Sequence, residues 1–333
     1  MSSQVSDSSD PNTPTPPPLR PVPAKRSEIA TRIAQDLPLS EDIAFQHSVF
    51  CQTSLPYRDP GAIREWERKQ GKTHLLIKAG EVLHPESKKF VKLGLPFGPK
   101  PRLILTYLNT QAIKTQSPEI PVDDSLSAFV RTLGLQRNGY TLRQMKEHLS
   151  RLSACMITLA SEQPDQEGSI PTHYVKLVTT VSLWPANNPA QRTLWPNRVT
   201  LGQEYYDNLT RYAVPLDMRA VHALQNNAFA LDMYAWLAQR LWRISLKEPQ
   251  WISWVALMDQ FGQGYRRIDN FKRDFRATLM MVLSQYPKAK ITEDLNKGFL
   301  LYSSPPPIPP RNVTPVKWSG PKAISQELGM EEE

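Results

Sequence analysis

Five basic side chains crowd one short stretch of this sequence: Arg266, Arg267, Lys272, Arg273 and Arg276. Across the same stretch Phe271, Phe275, Leu279 and Val282 recur at i, i+4, i+8 and i+11. That period is helical, so it predicts a helix with one apolar face. Arg266, Arg273 and Arg276 fall opposite that face, and Lys272 falls at its flank. Residues 265–290 hold seven Lys/Arg and two Asp, a net of +5. The chemistry open to such a face is recognition of anions. A guanidinium fork can hold a phosphate, or the O6 and N7 of guanine together. The plainer reading is a solvated helix face, with Asp269 and Arg273 paired along it. A second, weaker set is Arg143, Gln144, Lys146 and Arg151. Gln can pair with adenine through two hydrogen bonds, though such residues decorate any exposed helix.

Motifs for other chemistries are incomplete. Gly71-Lys72-Thr73 resembles the end of a phosphate loop, but Trp66 stands where that loop needs its first Gly. Tyr205-Tyr206 resembles the paired tyrosines of strand-nicking enzymes. Those enzymes also need a His-apolar-His metal motif, and no His pair here has that spacing. The plainer reading is one packed Tyr and one exposed. No nucleophile elbow or Asp-rich metal cluster stands out. No catalytic residue, metal or cofactor is therefore expected.

The bulk numbers bound the answer. The chain has 333 residues, 40% of them hydrophobic, which suffices for two modest cores. Its net charge of +8 suits a nucleic-acid partner without proving one. Cys51 and Cys155 are far apart in sequence, so neither a zinc site nor a disulfide framework is expected. Cys155 reads as a core residue. No apolar run is long enough to span a membrane, and the first residues do not read as a secretory signal. The expected location is the cytoplasm.

The basic helices need elements to position them. Pro99 and Pro101 suit the start of a helix carrying the stripe Leu103, Ile104, Tyr107, Leu108 and Ala112. An extended link at Ile120-Pro121-Val122 follows. Asp124 is then expected to cap a helix over 125–133. Asn138-Gly139 should make a turn with positive φ. Thr141 should cap a third helix, with Leu142, Met145, Leu149 and Leu152 inward. Residues 155–160 and 173–183 then read as an antiparallel pair with 162–171 as its loop, the wing. This is the order of a winged helix-turn-helix, whose third helix would enter a major groove.

A Pro- and Asn-bearing linker around 185–196 leads to a looser copy. Helices are expected over 204–211, 217–224, 227–243 and 254–261. The basic helix, capped by Asp269 and running to about 286, comes next, and a hairpin from 288 to 302 ends the copy. Upstream, residues 27–50 read as helical in pieces, and 57–72 as containing a short charged helix around Ile63-Arg-Glu-Trp-Glu-Arg that Gly71 stops. Segments from His74 and from Lys89 read as two strands with a turn-rich connection. Residues 58–102 carry a net of +6.

The expected architecture is mainly α with small β hairpins, an α+β fold of tandem winged helix-turn-helix domains. Its divisions are a disordered arm over 1–26, a first domain over 27–184, a second over 197–303, and a disordered Pro-rich and acidic tail over 304–333.

Certain blocks carry a family signal. They are Leu93-Gly-Leu-Pro-Phe-Gly-Pro-Lys-Pro-Arg-Leu-Ile-Leu, Leu108-Asn-Thr-Gln-Ala-Ile-Lys-Thr and Ser125-Leu-Ser-Ala-Phe-Val-Arg-Thr-Leu-Gly-Leu. Met145 to Leu152 follows, with looser matches at Tyr205-Tyr206, Ala235-Trp-Leu-Ala and Tyr302-Ser-Ser-Pro-Pro-Pro-Ile. With these blocks the chain resembles the RepA family of plasmid replication initiators from about Glu67 to Tyr302. It departs where Val122-Asp-Asp replaces an expected Leu-Gly before Ser125. The resemblance implies a winged-helix initiator that binds repeated sites in double-stranded plasmid origin DNA and recruits host replication proteins, an initiator or a helicase. It also implies repression of its own promoter and a shift between homodimer and monomer. A winged-helix transcriptional repressor without a replication role is the alternative, and a DNA-nicking enzyme a more remote one.

Overall fold

The structure is a computed structural model that describes residues 24–71, 73–83, 88–121, 126–161, 172–183, 196–294 and 297–310. Helix α1 (Ala24–Gln35) begins inside the stretch expected to be a free arm. A 3-10 turn leads to strand β1 (Ile43–His47) and the short helix α2 (Ser48–Gln52). His47 ends the strand and caps the helix, its imidazole accepting from the Val49 amide.

Residues 57–72 do not form the expected helix. They hold strand β2 (Glu65–Gln70), with Trp66, Arg68 and Gln70 turned inward and their neighbours outward. The period is two because a partner, β3 (Thr73–Lys78), pairs with it along its whole length. Trp66 is fixed inward, its Nε1 donating to the Ser54 carbonyl at 2.8 Å and Arg68 stacking over it at 4.6 Å. Gly71 is the left-handed residue of the β2–β3 turn, φ 56°, and Lys72 lies outside the described residues. Strands β4 (Glu81–Leu83) and β5 (Phe90–Lys92) pair with each other. The segments from His74 and Lys89 therefore belong to different sheets.

Helix α3 (Pro99–Thr115) starts behind Gly98, whose φ of 72° lets the chain turn into it. Then come β6 (Glu119–Pro121), α4 (Leu126–Thr132) and α5 (Gly139–Ala154). The expected cap of α4, Asp124, lies outside the described residues. The cap of α5 is Asn138, which accepts from the Thr141 amide at 2.8 Å. Thr141 is therefore a buried residue of the first turn rather than the cap. The left-handed glycine of this region is Gly134, φ 70°, and not Gly139.

Strands β7 (Met156–Ser161) and β8 (Thr172–Val175) pair as expected, but they extend β2 and β3 into the sheet β2-β3-β7-β8. The next strand, β9 (Val178–Leu183), leaves them. It pairs with β10 (Pro196–Leu201), which pairs in turn with β6. The pair that closes the first helix trio is therefore β9–β10, with 184–195 between its strands rather than between domains. Both that connection and the loop 162–171 lie outside the described residues.

The second half runs α6 (Gln203–Tyr212), β11 (Ala213–Asp217), α7 (Met218–Leu224) and α8 (Ala228–Trp242). It continues with β12 (Gln250–Ser253), α9 (Trp254–Phe261), α10 (Ile268–Leu283), β13 (Ile291–Asp294) and β14 (Gly298–Leu301). Strand β12 has no counterpart in the sequence reading. Asp269 does not cap α10; Arg267 occupies that position, and Asp269 sits in the first turn.

The two halves follow one plan. The series α3-β6-α4-α5-β9-β10 matches α8-β12-α9-α10-β13-β14, and both three-stranded sheets run first-third-second. The first copy carries β7–β8 as an insertion. Each copy is preceded by a strand whose last residue caps a helix: His47 before α2, Asp217 before α7. Those strands, β1 and β11, pair with each other about Phe45 and Pro215. The halves are thus joined through a shared sheet.

Helix α3 lies at that joint. Its apolar stripe is buried as expected, and so is its opposite side, at Arg102, Thr106, Asn109 and Thr110. Buried polar groups need partners, and β1 and the second half supply them. Thr110 Oγ1 accepts from the Phe45 amide, Asn109 bridges Gln46 and the Tyr205 hydroxyl, and Arg102 holds Asp232 of α8. Tyr205 also stacks on His47 at 4.7 Å, while Tyr206 is only partly buried. After Tyr302 the chain packs instead of leaving. Tyr286 donates to the Pro305 carbonyl at 2.7 Å, Ser304 donates from its amide to Leu241, and Ile308 is buried. Residues 311–333 lie outside the described residues.

Candidate nucleic-acid interface

Helix α10 is seated on rings. Phe271 and Phe275 are fully buried, 5.6 Å apart, against Phe229, Phe261 and Trp254. Phe299 of β14 closes the same cluster, 5.0 Å from Trp254. This aromatic plate fixes which way the helix faces. At about 100° per residue, Asn270, Arg273 and Ala277 stand on the side away from it. All three are exposed, and Met280 continues the stripe. The entry turn adds Arg266 and Arg267, both exposed.

The five basic candidates therefore divide. Arg266 makes no hydrogen bond or ion pair among the described residues. Arg267 reaches Asp269 at 3.3 Å with both side chains mostly in solvent, a contact worth little. Arg273 pairs with Asp274 at 2.9 Å, not with Asp269, and its side chain remains exposed. Arg276 differs. Its Nε and Nη2 both donate to Glu293 of β13, at 2.8 and 2.6 Å, and its guanidinium lies 4.9 Å from the Trp254 ring. Lys272 lies over the other part of that flank, 5.5 Å from the same ring. These two side chains are positioned by the fold, and Arg276 is already neutralised.

The candidates of α5 divide in the same way. Arg143 is exposed and unpaired among the described residues. Gln144 donates to the Tyr140 hydroxyl at 2.7 Å, and Lys146 is half-buried, its pKa lowered by that burial. Arg151 is turned back into the protein. It donates to the Leu95 carbonyl at 2.8 Å, pairs with Glu147 and lies over the Phe97 ring. His148, on the buried face, meets the same ring at 4.9 Å. The block Leu93 to Gly98 is thus the seat of α5. A Cβ on Gly94 would stand 2.9 Å from Arg151 Nη1.

Sequence reasoning missed Asn270 and Ala277. Their signal was the spacing 270, 273, 277 opposite 271, 275, 279. Attention to charge alone hid a polar and a small side chain on the same stripe.

The model of the family described as plasmid-encoded RepA protein matches residues 95–256. Over that span, just under half of its length, the chain is similar to the RepA family. The match runs from the seat of α5 through α3 and the joint to the start of α9. No curated protein matches the sequence. Among solved structures, the chain is similar to a crystal structure of SeMet derivatives of domains 2 and 3 of RctB. Identity is 11% and the TM-score 0.48, covering 77% of this chain and 96% of that one. A second crystal structure of RctB domains 2–3 gives 10% identity and a TM-score of 0.46, covering 73% and 83%.

Among the described residues no group of His, Cys, Asp and Glu is placed to hold a metal ion. Cys51 and Cys155 are both buried and unpaired, and burial pushes the Cys155 thiol up to about 12. No helix among the described residues is long and apolar enough to cross a membrane.

Proposed function

We propose that this protein is a non-enzymatic plasmid replication initiator of the RepA family. It binds repeated sites in double-stranded origin DNA through two winged helix-turn-helix modules, promotes opening, and recruits a host initiator or helicase. The observation that carries this reading is the outward stripe of α10, Asn270, Arg273 and Ala277, with Arg266 and Arg267 at its entry. It has what a major groove asks of a reading helix. Arg suits guanine, Asn suits adenine, and a small side chain can approach a thymine methyl. Lys272 and Arg276 then serve from the flank on phosphates, where a pre-oriented guanidinium holds register rather than reading sequence. Helix α5 acts second, through Arg143, Gln144 and Lys146, with Arg151 as its anchor. Opening draws on binding energy and deformable A·T-rich DNA. Self-association and repression of the protein's own promoter fit the same contacts.

The test is a footprint on DNA flanking the gene, followed by anisotropy titration of the protected site. Arg266→Ala with Arg273→Ala should weaken specific binding by roughly 1–3 kcal/mol for each base-reading arginine. Unchanged affinity would remove α10 from the reading role. A plasmid carrying only this gene and its flanking DNA separates initiator from repressor, since only an initiator lets it replicate.

A further inference from the structure

On a different side of α9 from Trp254 lies a polar pocket that DNA reading by α10 does not use. Trp254 and Gln260 are six residues apart, so they diverge by roughly 120° about the helix axis. The pocket has a volume of about 320 Å³ and draws its walls from both halves. Gln52 and Gln70 come from the ends of α2 and β2; Trp236, Gln239 and Arg240 come from the last turns of α8, and Arg243 is its C-cap. Gln250 and Gln260 complete it, and no carboxylate lines it among the described residues.

Two features set this pocket apart from an ordinary surface dent. Arg240 is held over the Trp236 ring at 5.9 Å, and its Nε is buried with no hydrogen-bond partner among the described residues. Gln260 is 5% exposed, donates from Nε2 to the Gln52 carbonyl, and leaves a buried Oε1 unpartnered. A buried donor and a buried acceptor without partners are costly unless a ligand meets them. A helix C-terminus attracts cations. Yet no hydrogen bond from the Arg240 or Arg243 side chain to a carbonyl of α8 occurs among the described residues. Burial and the neighbouring Arg243 both lower the Arg240 pKa, as expected of like charges awaiting a counter-ion.

We propose that this pocket binds the phosphate of a phosphate-bearing ligand between Arg240 and Arg243, with Gln260 accepting a hydrogen bond from the same ligand. The volume lies within the range of small-ligand sites, roughly 300–1,000 Å³. Two guanidinium groups favour a phosphate, which accepts from several directions. The phosphate can come from a free mononucleotide, whose sugar hydroxyl or base amine can donate to Gln260, or from a DNA backbone, which carries acceptors only and would meet Gln260 through a water. Because the walls come from both halves, occupancy would also tighten the joint between them.

The full chain is melted with inorganic phosphate and with dAMP at constant ionic strength, and its binding to a short duplex is titrated against salt. Wild type, R240Q/R243Q, R243Q alone and R266A/R273A are compared. A free-ligand site predicts a rise in Tm that R240Q/R243Q abolishes and R266A/R273A leaves intact. A backbone site predicts no such rise, but a salt slope flattened by about 0.9 per lost phosphate contact in R240Q/R243Q. Arg243 is exposed, so R243Q should fold and show a partial form of whichever effect holds. The proposal falls if neither ligand raises Tm and the slope is unchanged. It falls equally if the rise persists in R240Q/R243Q. Loss of duplex binding in R266A/R273A alone speaks to α10 and not to this pocket.

Discussion

Replacing Asp232 by Asn tests whether the two halves behave as one body. In the structure Arg102 Nε donates to Asp232 Oδ1 at 2.6 Å and Nη2 donates to Oδ2 at 2.7 Å. The side chains are 5% and 10% exposed. The other donor positions of the guanidinium are also used, on the carbonyls of Gly98, Leu55 and Pro56. Arg102 also lies 5.2 Å from the Tyr57 ring. Asn keeps the size of Asp232 but removes the charge and one acceptor, so a buried guanidinium is left without a counter-charge. Breaking such a pair costs roughly 3–5 kcal/mol. For a chain of this size each kcal/mol lowers Tm by about 2–4 °C, so a fall of about 10 °C is expected. Urea unfolding by tryptophan fluorescence and by far-UV CD should show coincident transitions in wild type and an earlier midpoint in D232N. Removing both charges, as R102M/D232L, should recover most of the loss, because the desolvation cost disappears with the pair. A D232N loss below about 1 kcal/mol would mean that Arg102 and Asp232 are not a buried bridge and do not hold the two halves as one body.

Further outcomes can be checked alongside. Burial drives the His47 and His148 imidazoles down to about 4, so both are neutral in the fold. Their contribution is complete above the unfolded value near 6.5 and is lost as pH falls toward 4, about 2 kcal/mol each by pH 5. Urea midpoints between pH 7.5 and 5 should therefore fall, and H148Q should fall less steeply; parallel curves would contradict the assignment for His148. Gly94→Ala should push Arg151 off the Leu95 carbonyl at a cost of about 1–2 kcal/mol. The cost should vanish when the change is added to R151A, since the two act on one contact; simple additivity would show that Arg151 has room elsewhere.

Local pattern carried much of this protein. The period of Phe271, Phe275 and Leu279 placed α10, and the sequence reading matches α9 at both ends and α8 to within a residue. Such helices are written in residues three and four apart, which one sequence displays. The RepA blocks were legible through their resemblance to a family rather than through any period, and the seat of α5 shows what they encode. Gly94 makes room for Arg151, Phe97 faces its guanidinium, and Gly98 turns the chain into α3.

What failed was non-local. Strand β2 looked helical because its inward partner is chosen by β3 and its inward Trp66 by the Ser54 carbonyl. The strand pair that closes the first helix trio was misjudged because β9 leaves β8 for β10. A pairing across an interrupted connection has no signature in either strand. Composition marked 304–310 as free, yet Ile308 is buried by elements that precede it in the chain. The same limit held for the candidate site. Sequence counted charges and could not tell Arg273, at the surface, from Arg276, held by Glu293, or from Arg151, held by Leu95 and Glu147. The amino-acid order determined which basic side chains this protein carries and on which helices. Tertiary structure decided which of them are free to meet an anion, because a guanidinium's availability depends on whichever carboxylate or carbonyl the fold brings beside it.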